Sequence, residues 1–464
     1  MSLLTILKGR QMLMKVVVVG CTHAGTAAVR ELLMKHPETE VDVFERREDI
    51  SFLSCGIALY LEGTVGRLED MFYATPASLE ALGPHVHVHL KHDVLSIDAA
   101  DHRILAENLK TGNQQHYQYD KLVMATGSYP VVPPISGVSI PRVLMCKNYD
   151  DARRIKESAK DAEHIAIVGG GYIGVELAEA YSRNHKQVTL INGVSPLLSH
   201  YVDLPLSHEI SEALTTRGVE LKANTVAKHF DSDEQHVFIQ TDKGEIQADL
   251  AVVCVGFRPM TELLIGQVDM NPDGSIHVND YMQTSNPDIF AAGDAVAVHF
   301  NPTGKDAYAP LATNAVRQGM MAGANLFKPT IKYMGTQATS ALKLYDHNLG
   351  VTGLTLAHAK RNHLSAASVT MTDDFRPPFM PDTVKITMVL VYDTDDRRIL
   401  GAQFYSQYDI VNAANLISVM IQNRNTIDQL AYVDMLFNPN YDKPWHYLNL
   451  LGQLAVTQAD NTTA

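Results

Sequence analysis

A chain of 464 residues, 46% of them hydrophobic, has material for roughly three domains with cores of their own. Its formal net charge of -14 argues against nucleic acid or an anionic membrane surface as a partner, since both repel it at long range. No apolar run is long enough to span a bilayer, and four unpatterned cysteines fit a reducing, cytoplasmic compartment without a disulfide framework.

Residues 1–13 carry Lys8 and Arg10 but lack the apolar stretch and small-residue cleavage site of a secretory signal, so they read as an N-terminal extension. Lys15-Val16-Val17-Val18-Val19 is a continuous β-branched run, as in a strand buried on both faces of a parallel sheet. Gly20-Cys21-Thr22-His23-Ala24-Gly25 follows, and a helix is expected from about Ala24 to Met34. The next strand, Val41 to Phe44, ends in Glu45, about 20 residues beyond Gly25. This is a Rossmann fingerprint: a tight turn, a helix start for a pyrophosphate, and an acid for ribose hydroxyls. Thr22 replaces the usual middle glycine and narrows the backbone approach.

Cys55 then stands alone in Ser51-Phe52-Leu53-Ser54-Cys55-Gly56. Cys21, Cys146 and Cys254 are scattered and make no CxxC, so a thiol/sulfenic-acid cycle suits Cys55 better than a thiol–disulfide one. Gly56 to Leu61 looks helical, which puts the sulfur at a helix N-terminus where the dipole favours thiolate. Leu122 to Gly127 is a strand ending in a small-residue turn. His164 to Val168 leads into Gly169-Gly170-Gly171-Tyr172-Ile173-Gly174, a helix near Val175 to Asn184, and a strand from Gln187 to Ile191 that ends in Asn192. Two fingerprints in one chain mean two dinucleotides. Ile289 to Asp294 is a further strand that delivers a carboxylate beside glycine. After about Lys328 the pattern changes to strands at Met388–Tyr392 and Leu400–Phe404 and helices near Asp409–Gln422 and Thr426–Met435, an α+β unit without a nucleotide signature.

The order of these segments, with Gly256-Phe257-Arg258-Pro259 between the second fingerprint and Phe290-Ala291-Ala292-Gly293-Asp294, resembles the pyridine nucleotide–disulfide oxidoreductases. Within them the single-cysteine branch is most similar: water-forming NADH oxidase first, because Thr22-His23-Ala24-Gly25-Thr26 is oxidase-like, then NADH peroxidase and coenzyme A-disulfide reductase. The resemblance implies an α/β fold of two Rossmann-like dinucleotide-binding domains plus a C-terminal α+β interface (dimerisation) domain. The expected divisions are FAD binding at residues 14–130 and 256–329, NAD binding at 131–255, and the interface at 330–464.

It implies FAD against Gly20, Thr22, Ala24, Gly25, Glu45, Val94, Ala125, Thr126, Gly127, Ser128, Lys147, Asp294, Ala312 and Thr313. For NADH it implies Gly169, Gly171, Tyr172, Ile173, Gly174, Glu176, Asn192, Tyr201 and Gly256, with Tyr172 as a gate over the flavin and Glu176 near the nicotinamide. Plainer readings stand beside these: Asp294 as a helix N-cap, Lys147 as a solvated lysine, Tyr172 as ordinary packing. Asn192 stands where an acid is expected; it neither grips both ribose hydroxyls nor repels a 2′-phosphate, so NADH use with tolerance of NADPH is expected.

The implied cycle reduces O2 with electrons from NADH, and the Cys55 thiolate reduces peroxide to water. His23 orients the sulfur and manages a proton, against the plainer reading of a solvent-facing loop residue; H2O2 as substrate is the peroxidase alternative. Cys21 is a nearby candidate for a disulfide with Cys55. The resemblance implies a homodimer or dimer of dimers, with Phe437 and Trp445 near the partner's flavin or else in the core. No metal is implied. A non-catalytic redox sensor is the reading of a different class.

Overall fold

The computed structural model describes residues 13–463, so the expected N-terminal extension falls outside the described residues except for Leu13. Two five-stranded sheets, each wholly parallel, carry the fold. The first runs Ile289–Ala291, Lys121–Met124, Lys15–Val19, Glu40–Glu45, Val86–Leu90. The second runs Val219–Ala223, Gln187–Asn192, His164–Val168, Leu250–Val253, Val143–Met145. In each sheet the glycine-loop strand is central and packed on both faces, which is why both sequences are nearly unbroken runs of apolar residues. The second sheet is inserted between the chain segments that build the first.

The helix His23–Lys35 begins one residue before its expected start, and Tyr172–Arg183 begins three before, so His23 and Tyr172 are the first helical residues after their glycine turns. His23–Lys35 lies directly on Ala312–Asn325. A Cβ at Gly319 would sit 2.2 Å from the Ala24 carbonyl oxygen, and one at Gly323 would sit 2.3 Å from that of Ala28. Only hydrogen fits at that crossing, so the glycines set how closely the two helices approach.

Two three-stranded antiparallel sheets, His92–Asp98 with Arg103–Asn108 and Gln114–Gln118, and Ala227–Ser232 with Val237–Thr241 and Gly244–Ala248, were not expected from the sequence. Their apolar signal is short: Ile104 with Ala106 and Val237 with Ile239 are buried alternating pairs among mostly polar, partly exposed neighbours. The C-terminal part is an antiparallel sheet ordered Ser340–Leu344, His347–Gly353, Ile399–Ser406, Lys385–Asp393, Ala366–Asp374. Helices Val411–Gln422, Ile427–Tyr432 and Tyr447–Thr463 cover it, the last of them unforeseen.

One face of this sheet packs under its own helices as a separate core, with Met388, Leu390, Phe404 and Ile417 in it, while the other face joins the inserted domain. Leu342, Leu349 and Val351 join Ile165, Val175 and Leu190 in one apolar cluster. Asp203 accepts from Gln403 Nε2 at 2.8 Å and from the Leu356 backbone N–H at 3.1 Å, which ties the inserted sheet's domain to the C-terminal one. Among the described residues, no helix is long and apolar enough to cross a membrane.

Candidate active site

The turn after Lys15–Val19 folds as it does because of two glycines. Gly20 has φ +92°, and a Cβ there would lie 2.4 Å from the Ala125 carbonyl oxygen; a Cβ at Gly25 would lie 2.0 Å from the Gly20 carbonyl oxygen. The second turn repeats this, since Gly169 has φ +122° and a Cβ at Gly174 would lie 1.8 Å from the Gly169 carbonyl oxygen. Each turn therefore leads tightly into a helix start whose free N–H groups face outward, an anion site by construction.

A cavity of about 1000 Å³ opens at the C-terminal edge of the first sheet and brings together Gly20, Thr22, Glu45, Val94, Ala125 and Thr126. That volume and that edge suit a large dinucleotide better than a mononucleotide. Glu45 is nearly buried and accepts from the Cys21 N–H at 2.9 Å and the Arg47 N–H at 3.1 Å, which fixes its carboxylate at the strand end. Arg46, Arg47 and Asp49 also line the cavity and were missed in the sequence, although Arg46 and Arg47 directly follow Glu45. Burial pushes the Asp49 carboxyl up to about 6, against the pull of Arg47.

Asp294 is not a helix N-cap. It lies in the single turn Gly293–Ala295, and its Oδ2 accepts from Ser128 Oγ at 2.6 Å and from Lys147 Nζ at 3.2 Å. Lys147 is likewise no merely solvated lysine. Its ammonium also donates to Ser128 Oγ at 2.9 Å and lies 4.1 Å from the centre of the Phe257 ring. Gly127, φ +73°, turns the chain beside this knot, and Ala24 faces Gly293. Ala312 and Thr313 open the helix Ala312–Asn325, whose Gln318 accepts from the Gly293 N–H at 2.8 Å.

Cys55 sits in the turn Ser54–Gly56, followed by the short helix Ile57–Glu62. It is exposed, yet the surrounding protein and then Glu176 push its thiol upward, against Lys147. The expectation that a helix dipole holds it as thiolate is thus corrected: the helix has six residues, and desolvation and a carboxylate outweigh it. Cys21 is buried, its Sγ 3.6 Å from Thr26 Oγ1, and burial raises its thiol to about 12. It and Cys55 are both free, so the candidate disulfide is absent.

His23 is half-buried, not a fully solvent-facing loop residue. Its Nδ1 lies 2.8 Å from Tyr73 Oη, and its Nε2 is buried without a partner. Burial, then Lys147, depress its protonation against Asp294. Lys147 and Asp294 are among the charges that act on His23 and on Cys55.

At the second turn, Tyr172 packs on Tyr201 with ring centres 4.2 Å apart, and its hydroxyl lies 3.0 Å from Ser340 Oγ of the C-terminal sheet. Ser340 was invisible to a motif reading because it is far away in sequence. Ile173 packs against the shared apolar cluster, while Glu176 is held up to about 7 by burial and then by Glu179. Gly171 has open space where a side chain would be, and Gly256, φ +115°, turns the chain after Leu250–Val253. Asn192 is nearly buried, and its amide donates to the Val194 carbonyl, so it is folded back on its own loop. Phe437 and Trp445 are 48% and 52% exposed, which removes the reading of them as core.

Two parallel sheets, each leading through a glycine turn into a helix start, are the plan of a flavin oxidoreductase that uses a pyridine nucleotide. The pyridine nucleotide-disulphide oxidoreductase model matches residues 14–319, and the dimerisation domain of the same family matches residues 339–447. The chain belongs to the pyridine nucleotide-disulphide oxidoreductase family. It is similar to an NADH oxidase of Enterococcus faecalis, 50% identical over 445 residues that make up 96% of this chain and 99% of that one. The water-forming NADH oxidase from Lactobacillus brevis, solved bound to NADH, superposes with a TM-score of 0.96 at 50% identity over 97% of this chain and all of that one. An NAD(P)H coenzyme A polysulfide/persulfide reductase of Pyrococcus horikoshii is 30% identical over 96% of this chain and 99% of that one.

Proposed function

We propose that the protein is an FAD-dependent NADH oxidase that reduces O2 to water with Cys55 as a thiol/sulfenic-acid centre. The observation that carries this reading is that Cys55 is a free, exposed thiol while Cys21 and Cys146 are buried, in a chain whose two parallel sheets each lead through a glycine turn into a helix. The similarity to NADH oxidases over nearly the whole chain supports it. FAD, when bound, supplies the two-electron relay between NADH and the oxygen or sulfur acceptor.

Gly20, Gly25 and the start of His23–Lys35 would hold its pyrophosphate, Glu45 its adenosine ribose, and Asp294 with Lys147 and Ser128 its far end. Gly169, Gly171 and Gly174 would hold the NADH pyrophosphate, and Tyr172, tilted against Tyr201, is a ring that has to swing aside for the nicotinamide. At the sulfur, Cys55 thiolate attacks peroxide: the O–O bond breaks, an S–O bond forms, sulfur gives up two electrons, and one water leaves. Two electrons and a proton from a further NADH, with one more proton, return the sulfenic acid to thiol and release a second water. The sum is two NADH, two protons and O2 giving two NAD and two waters.

Asn192 fits NADH with tolerance of NADPH, since it brings no charge to the 2′ position. Residues 14–130 and 256–329 we assign to FAD, 131–255 to NADH and 330–464 to a homodimer contact. A reducing cytoplasm suits four free cysteines. Trapping with a sulfenic-acid-specific diketone tests the reading: one adduct on Cys55 after a pulse of peroxide is expected, and an unlabelled Cys55 with normal turnover overturns it.

A further inference from the structure

The chain around Cys55 starts and ends in one domain and packs in the other. Ile50 and Ala74 belong to the apolar cluster of the first sheet, and Ser51 closes the two ends on each other: its Oγ accepts from the Ala74 N–H and donates to the Ala74 carbonyl, both at 2.8 Å. Between them, Phe52, Ile57, Leu61 and Met71 are buried with Ile155 and Val175 in the cluster of the inserted domain. The turn Ser54–Gly56 and the helix Ile57–Glu62 therefore rest on the domain assigned above to NADH. So short a helix ends in carbonyls with no donor of its own, and here the inserted domain supplies donors. Lys156 Nζ, from the helix Tyr149–Ser158, donates to the Tyr60 carbonyl at 3.1 Å and to the Leu61 carbonyl at 3.0 Å, and Asn184 Nδ2 donates to the Leu61 carbonyl at 3.0 Å. The ammonium also lies 5.2 Å from the centre of the Tyr60 ring. Lys156 is half-buried, and a cation in that place is favoured by the negative end of the helix.

We propose that Lys156 is a positioning residue for Cys55: it fastens the far end of the helix Ile57–Glu62 to the NADH-binding domain and so fixes the turn that carries the thiol. This rests on the peroxide reduction assigned to Cys55 above. The excursion is then held at two points, by the Ser51–Ala74 clasp at its neck and by the Lys156 clasp at its helix end. Without the ammonium, the Tyr60 carbonyl loses that donor and the Leu61 carbonyl is left to Asn184. The helix can then slide on its apolar bed, and the sulfur drifts from the line on which it meets the peroxide O–O bond, an alignment to which the rate is steeply sensitive. A third tie, between Glu62 and Arg183 at 3.4 Å, is partly exposed and contributes little by itself.

Lys156→Met keeps an unbranched apolar stem and removes the ammonium, while Lys156→Arg returns a charged donor. In the flavin-loaded enzyme, the rate at which added peroxide oxidises the Cys55 thiol, followed by rapid mixing, should fall about five- to tenfold in Lys156→Met, the scale of hydrogen bonds from one charged group. The KM for NADH should hold, and Lys156→Arg should regain most of the rate. Asn184→Ala, which takes one donor from the Leu61 carbonyl, should slow the same step to a smaller extent. Three results overturn the proposal: Lys156→Met oxidising Cys55 at the parental rate, whatever its melting temperature; a KM for NADH that rises as far as the rate falls; or Lys156→Arg as slow as Lys156→Met. Should Lys156→Met fail to fold, Asn184→Ala decides, and a parental rate there overturns the proposal. Failure of the underlying reading is distinct, since Cys55 would then not be oxidised by peroxide in the parent enzyme.

Discussion

Cys55→Ser swaps the sulfur for a hydroxyl that peroxide does not oxidise. Reduction of O2 should then stop two electrons short, with H2O2 rising from none to about one per NADH consumed, as read by a peroxidase-coupled dye. Glu176→Gln acts in a different way. Glu176 is held near 7, and in its charged form it pushes the Cys55 thiol upward, so the neutral amide should let that thiol ionise at lower pH. Alkylation of Cys55 by iodoacetamide should accelerate severalfold at pH 8, where parental Glu176 is charged, and much less at pH 6, where it is already protonated. Asn192→Asp should lower kcat/KM for NADPH about tenfold or more against little change for NADH, since it sets a carboxylate against the 2′-phosphate. Both fingerprints, Cys55 and the Gly-Asp pair were legible at this scale because each depends on residues adjacent in sequence. Tyr73 and Ser340 were not, because 50 and 168 residues separate them from His23 and Tyr172 and only the fold joins them.

At the scale of elements, the apposed helices His23–Lys35 and Ala312–Asn325 hold the first glycine turn in place. Gly319→Ala would force a methyl group against the Ala24 backbone, where 2.2 Å is left to the carbonyl oxygen. Thermal melts should show a loss of about 1–3 kcal/mol, with flavin released ahead of unfolding. The buried strands were readable from their β-branched runs to within a residue or two. The small antiparallel sheets were not, since their buried alternations, such as Ile104 with Ala106 and Val237 with Ile239, are only two residues deep among mostly polar neighbours. The actual start of the helix at His23 also lay beyond pattern reading: it is set by the Gly20 turn and not by a capping side chain, for Thr22 makes no capping hydrogen bond.

Across the whole molecule, the C-terminal sheet shares its apolar cluster with the inserted domain and leaves Tyr432, Leu436, Phe437, Tyr441 and Trp445 exposed along one stretch of chain. Exposed aromatics in sequence-local clusters mark an association surface, in keeping with the dimerisation domain matched there. Phe437→Glu combined with Trp445→Glu should yield monomers by light scattering at concentrations where the parent is dimeric. The sequence order of motifs was enough to foresee the α/β plan with an inserted domain, but the fusion of two cores was not, because apolar residues carry no label for the partner they meet. The most direct test of water formation at Cys55 is oxygen uptake measured beside NADH oxidation in the parent enzyme. One O2 consumed per two NADH without free peroxide is the predicted result; one O2 per NADH with matching peroxide, or no uptake at all, would contradict it.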